Sequence, residues 1–318
     1  MFKTIVLVLI VAHATSAFAL TCRNGVYLSP NWLKGVKTAS EKTALFTKLK
    51  DAHMTHVFIY ANGINAQTPD IGFLNELKRA VPALQVTAMM GRRVCVHTTT
   101  HCFKLSEKTS RDRLIASAQD YWKLGFDGVQ LDLEPVETGN QDLIAILDQL
   151  RAKKPQGTFV SLAGYSLALE GDIKHQIKAT PKNNQTVLIW EKYYYKQILS
   201  RVDQVMVMNY DTALWTPSSY KSFTEWQTHE LKAIMPPSVN LQMGLPSNVP
   251  GRTGLFDRKV ENLRTGSDGV AAVLGTDCPS NFGVTIFTED GMTDALWAHF
   301  MQTFASTPTS PPAARTTQ

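Results

Sequence analysis

The chain contains 318 residues, of which 44% are hydrophobic and 19% are charged, with 19 Gly and 15 Pro. This composition is that of an ordinary globular protein and excludes collagen-like and low-complexity chains. The formal net charge of +5 is too small to indicate a nucleic-acid-binding protein. No internal apolar run reaches the length of about 20 residues that spans a bilayer.

The first 19 residues have the features of a secretory signal peptide. Lys3 supplies the positive charge, residues 4–12 form the apolar segment, and Ala-Phe-Ala at 17–19 fits the small-residue cleavage rule. A buried first helix is the alternative interpretation. A cleaved signal predicts a secreted protein in an extracellular, periplasmic or lumenal compartment.

Four cysteines follow the predicted cleavage site, namely Cys22, Cys95, Cys102 and Cys278. An even number of cysteines in a secreted chain indicates disulfides, and four cysteines allow three pairings. We favour Cys95–Cys102, which closes a short loop, and Cys22–Cys278, which ties the chain ends. His97 and His101 lie inside the short loop and raise the alternative of a zinc site, but their spacing matches no common zinc motif, so we predict no metal.

Between the chain ends, short β-type segments alternate with helical patterns. The eight predicted strands are Gly25–Trp32, His56–Gly63, Leu84–Gly91, Phe126–Pro135, Gly157–Gly164, Val202–Asp211, Val239–Pro246 and Phe282–Glu289. Eight such units without a second compositional domain predict an α/β protein with a single (β/α)8 TIM barrel over residues 20–305. Residues 306–318 are rich in Pro, Thr and Ser and predict a disordered tail. A doubly wound open sheet is the alternative fold, although no glycine-rich phosphate loop follows the first strand.

The fourth predicted strand carries an acidic cluster in the run DGVQLDLE at 127–134. Because strand side chains alternate between faces, Gln130, Asp132 and Glu134 share one face, which points into the barrel at its functional end. Asp127 has the opposite parity and begins the strand, so we expect it to form structural hydrogen bonds.

Two inward carboxylates require an explanation because buried charge is costly unless it is paired. One possibility is a salt bridge to a cation such as Arg92 or Arg93. The other is a catalytic pair, in which one carboxyl group stays protonated near neutral pH. The catalytic pair makes Glu134 a candidate general acid.

The sixth predicted strand places Met206, Met208 and Tyr210 on one inward face, with Asp211 at its end. A Met/Tyr stripe in a barrel is more often core than binding site. Tyr210, however, lies at the carboxyl end of the strand, where its hydroxyl can reach a ligand.

These two strands resemble those of glycoside hydrolase family 18. The run DGVQLDLE resembles the signature DGxDxDxE, and MNYD at 208–211 is similar to the MxYD motif. The resemblance continues in Tyr27 and the segment Pro-Asn-Trp at 30–32 after the first strand, and in Gly-Leu-Pro at 244–246. It covers residues 24 to about 300.

The resemblance implies hydrolysis of β-1,4 bonds next to N-acetylglucosamine, without a cofactor, through a nucleophile that the substrate's own acetamido group supplies. By position, Glu134 would protonate the glycosidic oxygen and then activate water. Asp132 would stabilise the oxazolinium-like intermediate, and Tyr210 would donate its hydroxyl to the acetamido group. Asp211 would contact sugar hydroxyls, and Met208 would pack near the sugar.

The sequence departs from the family pattern at two of these positions. Gln130 replaces an Asp of the signature, and we expect its amide to donate to Asp132 and favour the charged form of that carboxyl group. Phe287 stands where a Trp usually forms the floor of the sugar site. Tyr27 and Trp32 are the remaining candidates for sugar binding.

We expect a monomer whose partner is an N-acetylglucosamine-containing polysaccharide or oligosaccharide, with no nucleic acid and no membrane once the signal is removed. The sequence does not distinguish chitin from peptidoglycan or N-glycans. Alternatives are a non-catalytic lectin on the same barrel, a peptidoglycan N-acetylglucosaminidase, a retaining glycosidase with a second enzymic carboxylate about 5 Å from Glu134, and a purely structural barrel.

Overall fold

The computed structural model describes residues 22–61, 71–95, 102–170, 188–247 and 257–305. The predicted signal peptide, the predicted C-terminal tail, and His97 and His101 lie outside these residues. Within the described residues, no helix is long and apolar enough to cross a membrane.

Eight parallel strands form one closed sheet. They are β1 (Asn24–Leu28), β2 (Met54–Tyr60), β3 (Gln85–Arg93), β4 (Gly128–Glu134), β5 (Phe159–Leu167), β6 (Gln204–Met208), β7 (Asn240–Pro246) and β8 (Phe282–Phe287). Each strand pairs in parallel with the next one along the chain, and β8 pairs with β1 to close the barrel. A two-residue strand, Ile189–Trp190, pairs in parallel with the carboxyl end of β5.

A helix follows each strand on the outside of the barrel. The helices are α1 (Ala39–Asp51), α2 (Ile71–Ala80), α3 (Lys108–Lys123), α4 (Gln141–Lys153), α5 (Lys192–Leu199), α6 (Pro217–Ile234), α7 (Leu263–Leu274) and α8 (Asp294–Phe304). The strand–helix alternation and the β8–β1 pairing confirm the predicted (β/α)8 barrel. The same pairing excludes the open sheet.

Several predicted strands extend beyond their actual ends, and β1 and β6 show the physical reason. β1 stops at Leu28 because Pro30 begins a 3₁₀ turn (Pro30–Leu33), and proline has no backbone N–H to continue a strand ladder. β6 stops at Met208, and the chain then turns through Asp211, whose φ of 57° lies outside the β region.

β4 shows the expected alternation of side chains. Val129, Leu131 and Leu133 are buried, as is typical of strand residues that pack outward against helices. Gln130 has the opposite parity and is also fully buried. The barrel interior therefore contains a polar side chain that needs hydrogen-bond partners.

Aspartates stabilise two strand junctions at the amino ends of the strands. Asp127 accepts hydrogen bonds from the Val86 amide of β3 at 2.8 Å and from Lys78 Nζ of α2 at 2.7 Å. Asp203 does the same two repeats later, accepting from the Val160 amide of β5 at 2.8 Å and from Lys154 Nζ. In both cases a carboxylate before one strand holds the start of the preceding strand.

The β1–β8 seam closes the barrel. The register there pairs two residues on each strand. A Cβ at Gly283 of β8 would lie 1.8 Å from the Arg23 carbonyl oxygen, so this approach requires glycine. The Cys22–Cys278 disulfide joins the segments that precede β1 and β8.

The second disulfide, Cys95–Cys102, closes the short loop after β3. Both disulfides have the pairing that the sequence analysis favoured. Free cysteines are absent from the part of the chain that the structure describes.

Replacing Asp127 by Ala is expected to lower the free energy of unfolding by about 1–3 kcal/mol, because the Val86 amide loses its acceptor and Lys78 loses its ion pair. Urea unfolding followed by circular dichroism measures this change. Asp120→Ala is the matched control, since Asp120 forms an exposed pair with Lys123 at 3.0 Å and its loss should cost under about 0.5 kcal/mol. Equal effects of the two substitutions would contradict the role of Asp127 at this junction.

Candidate active site

A cavity of about 350 Å³ opens at the carboxyl ends of the barrel strands. Six side chains that the sequence analysis assigned to the site line it, namely Tyr27, Asp132, Glu134, Met208, Tyr210 and Phe287. They come from β1, β4, the end of β6, and β8. The closed parallel sheet therefore brings together residues that are up to 260 positions apart in sequence (27 to 287).

The two β4 carboxylates lie at the mouth of the barrel. Asp132 is half-buried and Glu134 is exposed. Burial raises the pKa of Tyr165 above its ordinary value, and the negative charge of Glu134 raises it further. Burial also raises the pKa of Tyr27, with further contributions from Tyr210 and Asp132. Both carboxylates are therefore within electrostatic reach of neutral tyrosine hydroxyls.

Gln130 lies beneath the cavity and is not among the described residues that line it. Its side-chain oxygen accepts a hydrogen bond from the Tyr27 hydroxyl, and its Nε2 donates to Ser161 Oγ at 3.1 Å. The amide donates to Ser161, its in-register neighbour on β5, and not to Asp132 as expected, while its oxygen faces Tyr27 of β1. Gln130 thus fixes the position of Tyr27, which lines the cavity.

Aromatic rings form one wall of the cavity. Phe287 stacks on Tyr210 with ring centroids 4.8 Å apart and planes inclined at 18°. Phe287 also packs edge-on against Tyr27 at 5.2 Å, and Tyr27 stacks on Phe58 at 4.8 Å. This continuous packing holds the rings of β1, β8 and the end of β6 in fixed orientations.

The end of β6 depends on close packing with β7 and α6. A Cβ at Gly244 would lie 2.5 Å from Met206 Sδ, so glycine leaves the space that Met206 occupies. Asn209 is fully buried and donates to Thr224 Oγ1 of α6 at 2.8 Å. The Tyr220 hydroxyl of α6 donates to the Asn209 carbonyl oxygen at 2.6 Å. These contacts fix the backbone on which Tyr210 is carried.

Asp211 follows directly and does not appear among the described lining residues. Beyond it, Glu261 is fully buried and accepts hydrogen bonds from the amide and hydroxyl of Thr212, at 3.1 and 2.9 Å. Burial, opposed by these hydrogen bonds, raises the pKa of Glu261 to about 8. Glu261 therefore supports the turn that carries Asp211.

Trp32 is a core residue in this structure. Its side chain is 5% exposed, stacks on Phe73 at 5.3 Å, and donates its indole N–H to Glu289. Glu289 also accepts from the Ser29 amide. Burial and a hydrogen bond with Asp290 raise the pKa of Glu289 to about 8. Trp32 is therefore part of the packed core and is not among the described residues that line the cavity.

Three acidic residues near the cavity were not predicted from the sequence. Asp290 lines the cavity just after β8, Glu289 supports the loop beside it, and Glu261 supports the turn after β6. None lies in a recognisable motif. The position of Asp290 just past a predicted strand end was the one available signal. The described residues contain no group of three or more His, Cys, Asp or Glu that could hold a metal ion.

Glu261 predicts a pH dependence of stability. Its folded-state pKa of about 8 lies above the ordinary value of 4.5, so the folded state retains a proton that the unfolded state loses. The free energy of unfolding should fall as pH rises from about 4.5 to about 8, with a contribution approaching 1.4 kcal/mol per pH unit. Glu261→Gln, which stays neutral, should flatten this slope in urea unfolding measured at several pH values.

Glu225→Gln is the control for this experiment, because Glu225 forms a partly exposed ion pair with Lys221 on α6. The Glu225→Gln variant should show the same dependence of the free energy of unfolding on pH as the wild-type protein. A wild-type slope in the Glu261→Gln variant would show that Glu261 is not the titrating group. The pKa of Glu289 is also raised, so Glu289 should lower the free energy of unfolding with rising pH in the wild type and in both variants.

The sequence matches no protein-family model and no curated protein. Comparison of the structure with solved structures does find similar folds. A GH18 chitinase from Cycas revoluta, a mutant in complex with (GlcNAc)4, aligns with a TM-score of 0.55 and 14% identity, covering 88% of this chain and 99% of that chain. The spore cortex-lytic enzyme SleL from Bacillus cereus aligns with a TM-score of 0.54 and 14% identity, covering 91% of this chain and 76% of that chain.

A non-catalytic protein has a similar structure. A human pseudo-chitinase with retained chitooligosaccharide binding aligns with a TM-score of 0.53 and 13% identity, covering 85% of this chain and 93% of that chain. At these identities the likenesses show a shared fold. The chain has a (β/α)8 fold that is similar to those of a GH18 chitinase and of a chitooligosaccharide-binding pseudo-chitinase.

Proposed function

We propose that the protein is a secreted glycoside hydrolase of the family 18 type, which cleaves β-1,4 bonds next to N-acetylglucosamine. The observation that carries the proposal is that Asp132, Glu134 and Tyr210 line one cavity at the carboxyl ends of the barrel strands. That end of a TIM barrel holds the active site in characterised enzymes.

Glu134 is the general acid and base of the proposed reaction. It protonates the glycosidic oxygen as the bond from that oxygen to the sugar C1 breaks, and the acetamido oxygen of the same sugar bonds to C1. Asp132 accepts a hydrogen bond from the acetamido N–H and stabilises the oxazolinium ion by its negative charge. Tyr210 donates its hydroxyl to the acetamido oxygen. Glu134 then removes a proton from the water that attacks C1 as the bond from C1 to the acetamido oxygen breaks, which restores the acid form of Glu134 and the acetamido group.

The aromatic wall provides the surface on which the sugar ring packs. Phe287, which stacks on Tyr210, provides an apolar face for the sugar, and Met208 completes that side of the cavity. Rings packed against one another cannot rotate freely, so the binding surface exists before substrate arrives. Asp290 at the rim is a further group that can accept hydrogen bonds from sugar hydroxyls.

Secretion is supported by the two disulfides, because such bonds persist in oxidising compartments. The predicted signal peptide agrees with them. The ligand class is supported by the neighbours in the structural comparison, one of which is a chitinase complex with (GlcNAc)4.

A lectin is the second candidate. It is favoured by the likeness to a pseudo-chitinase and by Gln130, which engages Tyr27 and Ser161 where the family signature has an acid. The presence of Glu134 in the cavity favours the enzyme. A binding protein would need the aromatic wall but no proton donor at this position.

Replacing Glu134 by Gln should lower the turnover of chitotetraose by at least about 100-fold, since general acid–base catalysis is worth that much or more. The dissociation constant should change little, because the cavity and its aromatic wall are preserved. Chromatography of the products measures turnover, and titration calorimetry measures binding. Glu137→Gln, at an exposed residue three positions later, is the control and should retain wild-type turnover.

Three other outcomes would change the assignment. Equal turnover by wild type and the Glu134→Gln variant would remove Glu134 from the mechanism. Tight binding of chitotetraose without cleavage by either protein would establish the lectin. Cleavage of substrates that lack the 2-acetamido group would favour a mechanism with two enzymic carboxylates.

A further inference from the structure

A second cavity, of about 470 Å³, lies beside the candidate active site. One side of it is a face of α3, where Ser110, Arg113, Leu114 and Ser117 recur at helical spacing. The other side is the carboxyl end of β3 and the segment around Cys102. This cavity takes no part in the proposed hydrolysis.

The second cavity is strongly basic. Arg92, Arg93 and Arg113 all line it, and no acidic residue appears among its described lining residues. Arg113 donates its Nε to the Thr109 carbonyl oxygen at 3.3 Å, which uses one of the five N–H donors of a guanidinium. Within the described residues, neither Arg93 nor Arg113 forms an ion pair.

Two serines and two apolar side chains complete the cavity. Ser110 and Ser117 are half-buried, and each hydroxyl already donates within the protein, Ser110 Oγ to Glu107 Oε2 at 2.7 Å and Ser117 Oγ to the Arg113 carbonyl oxygen at 2.9 Å. Leu114 and Phe103 offer apolar surface. Guanidinium forks beside apolar surface suit a carboxylate attached to a larger organic molecule, because planar arginine forks match carboxylate oxygens in pairs.

The second cavity is adjacent to the candidate catalytic acid. Arg93 of β3 is in register with Glu134 of β4, and the Val94 amide donates to the Glu134 carbonyl oxygen at 2.6 Å. Neighbouring strands lie about 4.8 Å apart. A chain of sugars held at the mouth of the barrel can therefore extend from Glu134 into the basic cavity.

We propose that the second cavity is a subsite for a carboxylate-bearing sugar next to the N-acetylglucosamine that is cleaved. This inference rests on the proposed function and narrows its substrate class to acidic N-acetylhexosamine chains. Arg93 and Arg113 bind the carboxylate through their guanidinium N–H groups. The two arginines are specificity residues and take no part in bond cleavage.

Titration calorimetry on the full chain tests this subsite, with the Glu134→Gln substitution present to prevent turnover. The ligands are chitotetraose, which is neutral, and a tetrasaccharide of alternating N-acetylglucosamine and N-acetylmuramic acid, which carries lactyl carboxylates. We expect the acidic tetrasaccharide to bind at least about tenfold more tightly at low salt, and we expect this advantage to shrink as salt rises. Arg93→Gln with Arg113→Gln should abolish the advantage and leave the affinity for chitotetraose unchanged.

Arg79→Gln is the charge-matched control, since Arg79 is an exposed residue of the last turn of α2, at the opposite end of the barrel. It should retain the preference for the acidic ligand. Equal affinities for the two tetrasaccharides, or a preference that survives the double substitution, would overturn the inference while the proposed function stands.

Two further outcomes bear on what the second cavity binds. Inorganic phosphate that displaces the acidic tetrasaccharide from the cavity at comparable concentration would show a general anion site and overturn the sugar subsite. Failure of both tetrasaccharides to bind or be cleaved by the wild-type chain would overturn the proposed function and this inference together. A cleavage assay of chitotetraose with the wild-type protein is therefore run beside every titration.

Discussion

Parallel pairing around a closed sheet is the constraint on which the rest of the molecule depends. Because all eight strands run in one direction and β8 returns to β1, every strand ends at one mouth. Residues in register on neighbouring strands also point to the same face of the sheet. The residues that point inward on one strand therefore determine which residues point inward on the next. Gly91 and Arg93 of β3 thus lie opposite Asp132 and Glu134 of β4. Through this register Arg93, which lines the second cavity, is the neighbour of Glu134, which lines the candidate active site.

The barrel interior contains polar groups that cost free energy unless they are satisfied. Tyr27, Gln130 and Ser161 satisfy one another in a chain across three strands, directly beneath the cavity. Glu261 and Glu289 are held in loops at the rim, where burial raises their pKa to about 8. Buried networks of this kind order the loops that carry the site, and they make its rigidity sensitive to protonation.

Much of the fold and part of the site could be predicted from the sequence, because both follow local periodicity. Alternation in DGVQLDLE placed Asp132 and Glu134 on one face, and the eight-fold strand rhythm indicated the barrel. The partners of Gln130 could not be predicted, since Tyr27 is 103 positions away and the contact depends on how the barrel closes. The role of Glu261 could not be predicted for a related reason. It lies in a loop, where no period marks which side chains turn inward.

The seam between β1 and β8 has a consequence for how the molecule assembles. It joins segments separated by 256 positions at the Cys22–Cys278 disulfide, so it carries the largest loop-closure entropy of any strand pairing in the barrel. Tyr27 of β1 and Phe287 of β8 meet across this seam and form part of the cavity wall. A chain that has folded its strands but not closed its seam therefore has an incomplete cavity wall, and the Cys22–Cys278 disulfide links the two segments that enter this seam.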